Sequence, residues 1–168
     1  MAIEIERKFL LANDTWRSAV QDSKRIAQAY LNDSEALAVG REQCSVRVRI
    51  SGASATINIK SREAGPSRQE YEYPIPLADA ENLMALACHG CIDKTRHLVM
   101  AGAHLWEIDE FAGNNEGLIV AEIELSDVNE RFEKPDWVGP EVTELNRYFN
   151  MALAARPYSV WTAEEKSC

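Results

Sequence analysis

Ile3-Glu4-Ile5-Glu6-Arg7-Lys8-Phe9 alternates apolar and charged residues from the start of the chain. Side chains in a strand point to opposite faces in turn. Glu4, Glu6 and Lys8 therefore share one face, and Ile3, Ile5 and Phe9 share the other. The same frame recurs along the chain. Arg47 and Arg49 lie opposite Val46, Val48 and Ile50, and Lys60 is in phase with Thr56 and Asn58 against Ile57 and Ile59. Glu70 and Glu72 oppose Tyr71 and Tyr73, and Lys94 and Arg96 share a face. Glu107 and Asp109 oppose Trp106 and Ile108, and Glu122 and Glu124 oppose Ala121, Ile123 and Leu125.

Charge on the outer face of one half-buried strand is ordinary. Here, however, the signs segregate by strand: some are purely basic and others purely acidic. The apolar faces are also large enough to need covering helices. The pattern predicts an α+β fold, an antiparallel eight-stranded β-barrel with a charged lumen, flanked by helices. Like charges packed into a lumen are costly without counter-ions. The basic strands call for a polyanion and the acidic strands for cations. Carboxylate-rich sites suit hard ions such as Mg2+ or Mn2+. No Walker loop and no G-x-G-x-x-G is present, which excludes P-loop and kinase-like phosphate sites.

Working outward, strands are predicted over residues 3–10, 27–31, 45–51, 56–61, 69–74, 92–99, 104–110 and 119–125. Asn13 or Asp14 would cap a helix running to about Ser23, and Asp79 one over 80–88. Asp127-Val128-Asn129-Glu130 has the form of a capping box before a short helix, and residues 143–155 read as the clearest helix. Residues 32–45 are long for a connection, as an extended hairpin would be.

The chain has 168 residues, 46% of them hydrophobic and 27% charged, which is ample for one core. We expect one domain over residues 1–157 and a C-terminal tail over 158–168. The formal net charge of -9 is a poor starting point for a nucleic-acid binder. No secretory leader and no bilayer-length apolar run is evident, so a cytoplasmic protein without membrane association is expected. Cys88-His89-Gly90-Cys91 could be a redox pair or half a zinc site, but no second C-x-x-C completes it and reduced thiols are the favoured reading. Strand exteriors left uncovered by helices could support a homodimer.

Taken in order, these segments resemble the CYTH superfamily, the triphosphate tunnel metalloenzymes. The resemblance rests on Glu4-x-Glu6-x-Lys8, Arg47-x-Arg49, Lys60, Ser67-Arg68-Gln69-Glu70-Tyr71-Glu72, Lys94-Thr95-Arg96, Trp106-Glu107-Ile108-Asp109, Glu122-x-Glu124 and Arg147-Tyr148. It covers nearly the whole chain and is most similar to the short bacterial inorganic triphosphatases. It implies hydrolysis of inorganic triphosphate with Mg2+ or Mn2+. In that scheme Lys8, Arg47, Arg49, Lys60, Lys94, Arg96 and Arg147 bind substrate. Glu4, Glu6, Asp109, Glu122 and Glu124 hold metal, and Glu4, Glu6 and Lys8 form the catalytic group. Class IV adenylate cyclase and thiamine triphosphatase are the enzyme alternatives on the same scaffold, and a polyphosphate- or nucleotide-binding module is the non-enzyme one.

Overall fold

The computed structural model describes residues 2–62, 67–87 and 90–167. Each alternating segment does become a strand. They are β1 (Ala2–Leu11), β2 (Val20–Tyr30), β3 (Cys44–Ser51), β4 (Ser54–Ser61), β5 (Ser67–Ile75), β6 (Cys91–Ala101), β7 (His104–Phe111) and β8 (Ile119–Leu125). A ninth strand, β9 (Val138–Glu141), follows.

The expected even eight-stranded barrel is corrected here. The strands form one nine-stranded antiparallel sheet in the order β5-β4-β3-β2-β6-β7-β8-β1-β9. The reason lies in β1, whose partners are divided. It pairs with β8 over Ile5–Leu10, whereas a further pairing with β5 is confined to Ala2–Ile5. Farther along, Phe9 and Leu11 pair with β9 across a register shift. In the span between, the Lys8 amide donates instead to Thr143 Oγ1 at 3.0 Å. The ninth strand is hidden in sequence by Gly139-Pro140, which reads as a turn. Glycine is needed there, because a Cβ on Gly139 would lie 2.9 Å from the Leu10 carbonyl oxygen.

Several helices also differ from expectation. The predicted helix from Asn13 is a 3-10 turn over Thr15–Ala19, after which β2 begins at Val20. Asn13 Oδ1 accepts from the Thr15 amide at 3.0 Å, a local turn that competes with helix formation. The polar residues 21–25 then become strand through pairing with β6, which no local alternation signals. Residues 32–45 hold a short helix, α1 (Ser34–Ala38), capped by Asp33, rather than an extended hairpin. Helix α2 spans Leu77–Leu86 and starts after Pro76, two residues before the expected Asp79 cap region. The expected helix after Asp127 does not form: Glu130 is engaged by the Ser126 amide at 2.6 Å and by His104 Nε2 at 2.8 Å. The long helix over 143–155 is broken into a 3-10 turn, Asn146–Tyr148, and α3 (Asn150–Ala155), because Phe149 between them is extended. A last turn, α4 (Ala163–Lys166), closes the chain with a capping box.

The apolar strand faces pack outward against these covers. Behind β1, β7 and β8, Trp106 is fully buried and packs edge-on against Phe9 at 5.6 Å and Trp137 at 5.4 Å. Helix α2 covers Val48 and Ala55 with Ala80. At one end, Leu153 and Tyr148 pack on Ile92, Phe111 and Val120, joined by Trp161 from the tail region. The first two clusters lie behind the charged strand faces, whereas Ile92, Phe111 and Val120 of the third are in phase with Lys94, Asp109 and Glu122 and cap the charged face at one end. Trp106→Ala should cost about 3–5 kcal/mol of stability, the range for truncating a buried aromatic; a denaturant melt checks it.

Candidate active site

The charged faces of the strands surround a cavity of about 990 Å³. Its two walls differ. On one wall stand Arg47 and Arg49 of β3 and Lys60 of β4. Three of the contacts they make are long. Arg47 Nη2 and Lys60 Nζ each reach Glu70 at 3.4 Å, and Arg49 Nε reaches Gln28 Oε1 at 3.4 Å. Arg47 is only 7% exposed, and its Nε has no hydrogen-bond partner among the described residues. Glu70 and Glu72 are both engaged by Asn58 Nδ2 as well. Burial, and then the neighbouring Arg47 and Arg96, push the Arg49 pKa below the usual guanidinium value. Among the described residues, Arg47, Arg49 and Lys60 share this wall with Glu70 and Glu72.

The opposite wall is acidic and tightly paired. Residues directly opposite in an antiparallel pair share a face, and the β1–β8 register sets Glu6 against Glu124 and Lys8 against Glu122. Lys8 donates to both Glu6 and Glu122. Arg96 spans β7 and β8: Nε and Nη2 each reach Asp109 at 2.7 Å, Nη2 reaches Glu122 at 2.7 Å, and Nη1 donates to Glu107. Lys94 lies beneath them, donating to Asp109 and to Asn150 Oδ1 at 3.4 Å.

These contacts set the protonation states. Burial opposes the charge on Lys8, but Glu122 and Glu6 outweigh it and raise its pKa above the usual lysine value. Burial likewise opposes the Glu122 charge, yet Lys8, Arg96 and Lys94 hold its carboxyl well below the ordinary carboxylate range. For Lys94 burial wins over Asp109, and its pKa falls to about 8. Glu107 is raised, chiefly by burial. Lys8 and Arg96 therefore act as fixed positive charges at neutral pH.

The CYTH domain family model matches residues 2–155. The chain belongs to the CYTH domain family. An inorganic triphosphatase of Acetivibrio thermocellus is 39% identical over 159 residues, which cover 94% of this chain and 97% of that protein. One of Nitrosomonas europaea is 36% identical over 154 residues, covering 90% and 96%. A crystal structure of an inorganic triphosphatase superposes with a TM-score of 0.65 at 31% identity, covering 92% of this chain and 96% of the other.

In this CYTH domain, Glu6, Lys8, Arg47, Arg49, Lys60, Arg96, Glu122 and Glu124 come together as lining of one cavity. Lys94 and Asp109 are fully buried beneath it and do not line it. Arg147 is not brought to the cavity: its guanidinium lies over the Tyr148 and Trp161 rings, 5.2 and 5.5 Å from their centroids. The backbone of Glu4 pairs opposite Arg68; its side chain lies outside the described residues, as do Cys88 and His89 of the C-x-x-C. Cys91 is an exposed free thiol. No described helix is long and apolar enough to cross a membrane.

Other lining residues escaped the alternation. Arg62 continues the Lys60 frame by two positions and was legible in principle. Thr143, Phe149, Asn150 and Arg156 come from turns and α3 and carry no pattern of their own. Phe149 places its ring 5.3 Å from Lys8 Nζ, backing the lysine against the acidic wall.

The donor set on the acidic wall fits a hard divalent cation. Glu6, Glu122 and Glu124 offer only oxygen ligands from two neighbouring strands. Among the described residues no three acidic, histidine or cysteine side chains form a ready-made cage.

Two outcomes follow from the buried pairing. Asp109→Asn leaves Lys94 and Arg96 without their shared counter-charge and should destabilise the fold by about 3–5 kcal/mol in a denaturant titration. Glu122, whose pKa is depressed on folding, contributes stability that is complete above its unfolded value of 4.5 and is lost as pH falls below it. Glu122→Gln should therefore flatten the loss of stability between about pH 5 and about pH 3, measured by thermal unfolding.

Proposed function

We propose that this chain hydrolyses inorganic triphosphate, with a divalent metal ion as helper. The observation that carries the reading is the buried Arg47, whose Nε has no acceptor among the described residues, standing with Arg49 and Lys60 on one wall and facing carboxylates across one cavity. The near-full-length likeness to two bacterial proteins named inorganic triphosphatase supports it. Phosphate oxygens suit that wall. Arginine offers a planar fork that grips phosphate in two places, and the buried Arg47 Nε gains the acceptor it lacks.

Glu6, Glu122 and Glu124, with Glu4 as the expected fourth, are the residues we assign to metal binding. The metal, when bound, neutralises phosphate charge and lowers the pKa of a bound water. Arg47, Arg49 and Lys60 hold the phosphate chain against β3 and β4. Lys8 and Arg96, kept protonated by their carboxylate neighbours, supply positive charge where the leaving phosphate gathers negative charge. Glu6, half-buried beside Lys8, is placed to orient the attacking water. Asp109 acts by positioning Arg96 and Lys94 from below. This positioning supplies most of what phosphoryl transfer asks of a protein.

The test is a substrate panel. Tripolyphosphate, ATP, thiamine triphosphate and pyrophosphate are offered with Mg2+ or Mn2+, and orthophosphate and cyclic AMP are both assayed. Tripolyphosphate should give the highest orthophosphate release, and chelation of the metal should abolish it. Dominant cyclic AMP from ATP would overturn the reading.

A further inference from the structure

Arg156 stands just past the last residue of the family match and lines the same cavity as Arg47 and Lys60. It is held there from two directions. Trp161 Nε1 donates to its carbonyl oxygen at 3.2 Å. Its Nη1 and Nη2 donate to the two carboxylate oxygens of Glu165 at 2.9 and 3.0 Å. Glu165 is itself fixed by the capping box: the Thr162 amide donates to its carboxylate at 2.8 Å, and its own amide donates to Thr162 Oγ1 at 3.2 Å. Trp161 is buried, edge-on to Tyr148 at 5.1 Å and Tyr158 at 5.2 Å. The segment after α3 is thus clamped to the body of the domain and carries the orientation of Arg156.

A guanidinium has five N–H donors. Glu165 engages two groups of it, and the side chain is still 51% exposed. Arg62 lines the same cavity and is oriented separately, its Nη2 donating to the Ala38 carbonyl at 3.1 Å. An exposed ion pair contributes little to stability on its own, so fold stability by itself does not account for the pair of Arg156 with Glu165. The net charge supplies another reason. A triphosphate approaching a chain of formal charge -9 meets long-range repulsion. Exposed cations at the cavity act against that repulsion within a Debye length, about 10 Å at 0.1 M salt.

We propose that Arg156, positioned by the segment from Pro157 to Ser167 and assisted by Arg62, captures the triphosphate at the cavity and sets its affinity rather than the rate of bond cleavage. This rests on the triphosphatase reading. It assigns a binding role to a residue outside the alternating charged strands.

The test uses the full chain as wild type, Arg156→Gln, Arg156→Lys and Arg62→Gln. Arg156→Gln should raise KM for tripolyphosphate about five- to tenfold and leave kcat within about twofold. Arg156→Lys should recover most of the loss, and Arg62→Gln should show a smaller rise. The penalty should shrink as salt is raised, because exposed charges are screened. Calorimetric binding of tripolyphosphate should weaken in parallel, while the thermal midpoint stays put. An unchanged KM and unchanged binding in Arg156→Gln would overturn the proposal, as would a loss confined to kcat or one indifferent to salt. Wild type that releases no orthophosphate would overturn the triphosphatase reading instead. The calorimetric series would then still decide the capture role, because undiminished binding in Arg156→Gln rejects it.

Discussion

Everything at this site depends on charges that are buried and therefore must be shared. Asp109 is fully enclosed, and Glu122 nearly so, between Lys8, Lys94 and Arg96. A lone buried charge would cost far more than the fold could supply. Each carboxylate answers to cations from other strands, so β1, β6, β7 and β8 are tied to one register. A slip of one residue in any of them would turn its charges into the apolar clusters behind the sheet. The network is thus a register lock before it is a site.

The two walls of the cavity use opposite strategies. On the acidic wall short contacts join Glu6, Asp109 and Glu122 to Lys8, Lys94 or Arg96. On the basic wall Arg47 and Arg49 each make a contact of 3.4 Å, and the Arg47 Nε has no acceptor among the described residues. This asymmetry favours a ligand that brings acceptors to one side and tolerates a cation on the other. A polyphosphate with a divalent metal has that form. The likeness to bacterial inorganic triphosphatases extends over nearly the full chain, so the arrangement is placed in context by the whole domain rather than by one motif.

Much of this is legible in the sequence. Alternation in Glu4-x-Glu6-x-Lys8, Arg47-x-Arg49 and Glu122-x-Glu124 located the strands and chose the face that holds the charges, because strand side chains must alternate. The helical signals were less reliable. Asn13, Asp127 and Thr143 each looked like a helix start, yet their side chains serve local turns or, for Thr143, the Lys8 amide. A capping residue only offers a hydrogen bond, and another donor can take it.

The sequence by itself determined which residues are charged, on which face of which strand they stand, and hence that a polar cavity must form. Only the tertiary structure decided which of those charges meet solvent. Lys94 and Asp109 follow the same alternation as Arg96 and Glu107 but lie beneath the cavity, because packing of Leu153 and Phe111 at that end covers them. It also decided that β1 would divide its partners among β5, β8 and β9, and that Arg156 would line the cavity while Arg147 turned to the tryptophan behind it. Alternation is a property of neighbours in the chain. Depth, closure and the aim of a side chain outside a strand depend on what distant segments pack against.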